Sequence, residues 1–106
     1  LKERNNGKLL FKRKLTLKGA LLRDGVIWEV PKSDRNPDGI RYRLALVDGN
    51  SGQLIALFDN HYPKGHHRHW EDGCETHYSF VSAEKLLDDY LIAIQKEVKK
   101  REDKKD

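Results

Sequence analysis

The stretch Ile40–Asp59 constrains the fold more tightly than any other part of the chain. Ile40, Tyr42, Leu44 and Leu46 alternate with Arg41, Arg43, Ala45 and Val47, and a repeat of two residues belongs to a strand. Asp48-Gly49-Asn50-Ser51-Gly52 carries the residues of a tight turn, and Gln53–Asp59 returns as the partner strand. At the centre of the two arms, Leu44–Val47 and Leu54–Phe58 are apolar on both faces. The hairpin is therefore expected in the middle of an antiparallel sheet.

The flanks extend this pattern. Phe11, Arg13, Leu15 and Leu17 alternate with Lys12, Lys14, Thr16 and Lys18, which predicts a strand with one mostly apolar and one basic face. Arg23-Asp24-Gly25 reads as a turn and Val26–Val30 as the strand that closes another hairpin. Pro31–Gly39 is a polar loop, and residues 59–65 form another. His66–Trp70 predicts a fifth strand, Glu71-Asp72-Gly73 a turn, and Cys74–Phe80 either a sixth strand or an irregular crossing. Ser82 is placed to cap a helix, with Val81 and Leu86 at hydrophobic-staple spacing. Leu86, Leu87, Tyr90, Leu91, Ile94 and Val98 then form one apolar stripe opposite Glu84, Lys85, Asp88, Asp89, Lys96 and Glu97.

The expected fold is α+β: an antiparallel sheet of four to six strands (two hairpins plus a His-rich strand) with one C-terminal amphipathic helix packed on a face. A length of 106 residues suits a single domain, with 1–8 as a flexible basic arm and 99–106 as a frayed charged tail. A single helix covers one sheet face, so an apolar second face would suggest a homodimer or another partner.

The formal net charge is +4, and residues 1–18 hold seven Lys/Arg against the single acid Glu3. Such a surface suits phosphate-bearing partners, or serves solubility alone. Cys74 is the sole cysteine, which excludes an internal disulfide framework and suits a reducing, cytoplasmic setting. No apolar run approaches the length of a membrane-spanning helix. Methionine is absent while Lys, Arg and Glu abound, a thermophile-like composition.

The chemistry concentrates in Asp59–His69. His61, His66, His67 and His69 lie there, opened by Asp59 and Asn60, interleaved with Lys64 and Arg68, and followed by His77. Histidine exchanges protons near neutral pH. Metal-free RNA cleavage needs a base for the 2′-hydroxyl, an acid for the leaving 5′-oxygen and cations for the phosphate. On a strand, His67 and His69 share one face while His66, Arg68 and Trp70 share the other, and residues two apart on one face are separated by about 7 Å.

The candidate catalytic set is Asp59, His66, His67, Arg68 and His69. His67 and His69 would serve as base and acid, Arg68 and Lys64 would hold phosphate, and Asp59 would orient an imidazole. Tyr62 and Trp70 flank the histidines and can stack on bases, whereas Trp28 is expected in the core. Asn60 and His61 join the substrate contacts. Lys12, Lys14 and Arg43 offer an electrostatic track for a phosphate backbone. Plain structural roles compete with each of these: imidazoles bonded into a loop, Asp-Asn as a turn, lysines protecting an edge strand. His67 and His69 also have the spacing of two zinc ligands, to which His61, Cys74, His77 or Asp59 could add a third. No Cys-x-x-Cys pair or His-Glu-x-x-His helix accompanies them, so no metal or other cofactor is assigned.

The order of these segments resembles the TumE family, toxins of type II toxin–antitoxin systems. It is carried by the strand Tyr42–Asp48, the strand end Phe58-Asp59-Asn60-His61, the run His66-His67-Arg68-His69, the helix start Phe80-Val81-Ser82 and the Leu-rich helix that follows. The similarity spans Tyr42 to Ile94. It implies a toxin encoded beside a cognate antitoxin, with growth arrest as the outcome. It marks Asp59, Asn60, His66, His67, Arg68 and His69 as motif positions without giving any of them a role. Together with the histidine chemistry, it leads to the expectation of a toxin acting on RNA as a small metal-independent endoribonuclease. The alternatives are a non-enzymatic RNA- or protein-binding module, and a metal-binding protein that uses the histidine cluster.

Overall fold

The computed structural model describes residues 7–103. Six strands follow one another as β1 (Lys8–Thr16), β2 (Leu21–Glu29), β3 (Ile40–Asp48), β4 (Leu54–Asp59), β5 (His67–Trp70) and β6 (Glu75–His77). They form one antiparallel sheet in chain order, and a single helix, α1 (Ala83–Asp103), completes the α+β fold. The hairpin Ile40–Asp59 supplies the central pair β3–β4.

The first turn is not where the sequence suggested. Arg23-Asp24-Gly25 lies inside β2, which runs straight through it, and the chain reverses at Lys18–Ala20 with Gly19 and Ala20 at positive φ. Gly25 serves packing instead: a Cβ there would stand 2.7 Å from Cδ2 of Leu44, its register partner on β3. A glycine inside a strand often marks such a close approach rather than a bend. Lys8, expected in a loose arm, already belongs to β1, and residues 1–6 of that arm lie outside the described residues.

The core forms between α1 and one face of the sheet. Leu21, Ile27, Tyr42, Leu44, Leu46 and Phe58 are buried there beneath Leu86, Tyr90 and Ile94 of the helix. Full burial of a Leu or Ile side chain is worth about 1.5–3 kcal/mol. A bulge after Leu46 inserts Ile55 into β4, so that Ile55 and Ala56 are both buried. The helix begins as its sequence suggested, with Ser82 Oγ accepting the Lys85 N–H at 3.0 Å. Val81 is 73% exposed, which leaves little surface for a staple onto Leu86.

Tyr90 locks helix to sheet. Its hydroxyl donates to the Ala45 carbonyl at 2.6 Å, and burial pushes its phenol up to about 12, so the donor proton stays in place. At the far end Arg101 approaches Asp48 at 3.7 Å and Lys18 meets Glu102 at 3.1 Å. These contacts tie the last turns of α1 to both hairpin turns, and Lys99–Asp103, expected in the tail, belongs to α1; residues 104–106 lie outside the described residues.

The other sheet face carries no helix. It is not the apolar surface that would call for a second copy: charged and titratable side chains run across it, over a floor that includes Ala45 and Leu57.

Removing the Tyr90 hydroxyl leaves a buried carbonyl short of its donor. Tyr90→Phe is expected to lower stability by about 1–2 kcal/mol, read as a shifted urea midpoint with an unchanged slope.

Candidate functional site

Register assembles the site. On the helix-free face, Lys12 pairs with Val26, Val26 with Arg43, Arg43 with Asp59, Asp59 with His67 and His67 with His77. One rung across all six strands thus carries Lys12, Arg43, Asp59 and His67 side by side. The next rung runs Lys14, Asp24, Ala45, Leu57, His69 and Glu75. Residues scattered over more than sixty positions of sequence share a strip two rungs wide.

At its centre His67 Nε2 lies 3.0 Å from Asp59 Oδ1. The Nδ1–H of His67 donates to the Gly65 carbonyl at 2.6 Å. Both ring nitrogens therefore face oxygen acceptors, an arrangement that is satisfied when the ring carries a proton on each. The His69 ring stands nearly perpendicular to that of His67, with centroids 4.7 Å apart. The side chain of His67 is 7% exposed, that of Asp59 14% and that of His69 28%, so the cluster opens to solvent on the His69 side.

Glu75 braces that side. Its carboxylate accepts two hydrogen bonds from Lys64, both 2.9 Å, and lies 3.8 Å from Nδ1 of His69. The Lys64 hydrogen bond holds the Glu75 carboxyl below the ordinary glutamate range; burial opposes this, and the positive charge of Lys64 and the histidines adds to it.

Beside the cluster a cleft of about 440 Å³ is lined by Val26, Trp28, Arg41, Tyr42, Arg43, Asp59 and His61. Trp28 is thus half-buried on the helix-free face instead of in the core. Tyr62 is exposed, with the Arg35 guanidinium 4.8 Å from its ring centroid.

Several expected site residues face the other way. Arg68 lies on the helix side, its guanidinium over the rings of Phe58, Trp70 and Tyr78 at 5.5–5.9 Å. Strand alternation puts it opposite the face of His67 and His69, where it cannot hold a phosphate for them. Trp70 packs edge-on against Phe58 in the same layer.

His66 is a structural pin. It accepts from the Tyr42 hydroxyl at Nδ1 (2.8 Å), donates from Nε2 to Asp38 (2.7 Å) and stacks on Phe80 at 4.6 Å. Burial raises the Tyr42 phenol well above its usual range, aided by Tyr78, Asp59 and Asp38, so Tyr42 remains a donor. Asn60 is a ladder extension rather than a substrate contact. Its Oδ1 accepts from the Tyr42 N–H at 3.0 Å and its Nδ2 donates to the Ile40 carbonyl at 2.8 Å, continuing the pairing of β3 where β4 stops.

Glu75 is the neighbour of the cluster that sequence reasoning passed over, and Trp28 the one it set in the core. Counting pairs outward from the Glu71–Gly73 turn would have set Glu75 opposite His69, and alternation with Val26 would have set Trp28 on the open face.

A family profile described as Toxin TumE matches residues 3–100. The chain belongs to the TumE family. Searches for similar curated proteins and for similar solved structures found no match. TumE membership gives a toxin role and implies an antitoxin partner. No helix among the described residues is long and apolar enough to cross a membrane.

Two outcomes follow for this TumE-family chain. Asn60→Ala strips two buried backbone groups of their partners and is expected to cost about 2–4 kcal/mol, measured by urea unfolding. For Glu75, a folded pKa below the unfolded one means its stabilising contribution is complete above the unfolded value and lost as pH falls through the folded value. The stability gap between wild type and Glu75→Gln is therefore expected to close as pH drops below about 4, measured by thermal melts across a pH series.

Proposed function

We propose that this TumE-family toxin is a metal-independent endoribonuclease whose reacting groups are Asp59, His67 and His69. The observation that carries the reading is the Asp59–His67–His69 cluster on the cationic, helix-free face. Three elements of phosphodiester cleavage stand together there: a half-buried imidazole open to solvent, a carboxylate-held imidazole with both nitrogens facing acceptors, and nearby cations.

In this reading a ring nitrogen of His69, the more exposed of the pair, takes the proton of the 2′-hydroxyl. The 2′-oxygen attacks phosphorus. His67 keeps its Nδ1–H on the Gly65 carbonyl, releases its Nε2 proton from Asp59 and gives it to the departing 5′-oxygen, the reverse of the base and acid order expected from sequence. The products are a 2′,3′-cyclic phosphate and a free 5′-hydroxyl. Arg43, next to Asp59 on the rung, faces the phosphate charge. Lys12 and Lys14 continue the path of the backbone towards β1. His61, Tyr62 and Trp28 offer ring faces to neighbouring bases, and Lys64 keeps Glu75 against His69. The antitoxin would be a protein, as in type II systems, and would cover this face with acidic or aromatic residues.

The test is cleavage of RNA by purified protein together with growth inhibition on expression. His67→Ala and His69→Ala are each expected to lower cleavage at least 100-fold, consistent with the loss of one proton-transfer group, and to relieve toxicity. Full activity in both variants would falsify the assignment. Lys12→Glu with Lys14→Glu is expected to weaken RNA binding and flatten its salt dependence by about 0.7 in log–log slope per lost phosphate contact. If these charge changes abolish toxicity while both histidine variants stay toxic, the protein blocks RNA without cutting it.

A further inference from the structure

The same cluster has a second capacity. One carboxylate oxygen of Asp59 and one ring nitrogen each of His67 and His69 lie within 4.8 Å of one another. We propose that these three side chains form a binding site for a divalent first-row transition ion of the zinc class, and that the ion inhibits RNA cleavage by occupying the groups that cleavage uses. The inhibition rests on the cleavage reading above; the binding does not.

The geometry is that of a coordination site lacking little. With metal–ligand bonds of about 2.0–2.2 Å, tetrahedral ligand atoms stand roughly 3.4 Å apart. His67 Nε2 and Asp59 Oδ1, at 3.0 Å, are already inside that separation. The His69 nitrogen lies within 4.8 Å of both, and His69, the more exposed ring, is the one that would move to close the gap. All three ligands sit on adjacent paired strands, so the ladder fixes their backbones instead of a loop.

The contacts around the cluster match what ligating histidines require. The Gly65 carbonyl takes the Nδ1 proton of His67, which fixes the tautomer and aims Nε2 at Asp59. A neutral ring in that tautomer points a lone pair at a carboxylate oxygen, a contact that either a second ring proton or a bound cation relieves. Glu75, anchored by Lys64, stands beside the His69 ring as an outer carboxylate. Two nitrogens and one oxygen select a zinc-class ion over magnesium or calcium, which favour oxygen ligands throughout. Three protein ligands with one side open to solvent leave a coordination position for water.

The effect on cleavage follows from shared atoms. An ion bound to His67 and His69 takes the ring nitrogens that would otherwise accept and donate protons.

The experiment uses the full chain without a polyhistidine tag, stripped with chelator. Cobalt(II) is titrated and its visible absorption followed, and zinc(II) is then added in competition with a chromophoric chelator. One equivalent of cobalt is expected to give visible bands that zinc abolishes. His69→Ala and Asp59→Asn, each checked for folding by circular dichroism, are expected to bind at least 10-fold more weakly, whereas His77→Ala binds as wild type does. Absence of saturable binding near one equivalent overturns the site. So does binding that survives both ligand variants and falls in His77→Ala. In the cleavage assay, one equivalent of zinc is expected to suppress the wild-type rate, and a rate unchanged by bound zinc overturns the inhibition. Cleavage that requires zinc would leave the binding site standing while overturning the metal-independent reading, so the two failures are told apart.

Discussion

The pairing register of β4 with β5 determines which side chains this protein presents on its helix-free face. Asp59 opposite His67 and Leu57 opposite His69 direct both imidazoles to the helix-free face. A slip of one residue would turn them into the core and push Arg68 out, because every side chain of a strand changes face together. The register is held from the core side. Phe58, Trp70 and Tyr78 pack around the Arg68 guanidinium, and a one-residue shift would break that layer. Hydrophobic packing on one face thus sets the electrostatics of the other.

The run His66-His67-Arg68-His69 shows how alternation divides labour within one short segment. His66 joins Tyr42, Asp38 and Phe80 and so fastens the loop before β3, the strand β3 and the entry to α1 to one another. His67 and His69, on the opposite face, are free of that duty. Asn60 makes a similar division with Asp59: the amide replaces backbone pairing with β3, while the carboxylate turns to the histidine. The dense cluster in sequence is therefore two clusters in space, one holding segments together on the helix side and one gathered with Asp59 on the open face.

Sequence carried the central hairpin, the helix and the separation of His67 and His69 from Arg68, because each follows from a periodicity a few residues long. It misplaced the first turn. Arg-Asp-Gly has turn chemistry, but the glycine at position 25 answers to Leu44 across the sheet, a contact no local pattern contains. Asn60, His66 and Trp70 were set among the substrate contacts or catalytic groups because their partners lie elsewhere in the chain: Ile40 and Tyr42, Asp38 and Phe80, and Phe58. The assembly of Lys12 and Arg43 with Asp59 and His67 likewise depended on the register of four strands. Residue types announced the chemistry, and long-range pairing decided which of them could share it.

The strict chain order of the sheet bears on how such a protein comes into being. Each strand pairs with the one made just before it, so the sheet can zip up in step with synthesis, and contacts of this local kind form fast. The helix is made after the strands, and until it docks through Tyr90 onto Ala45 it leaves the apolar side of the sheet uncovered. The histidine face is complete once β6 is in place, ahead of the helix. The strands that carry the histidine face are thus all made before the element that closes the core, and the two faces of one sheet are completed at different times.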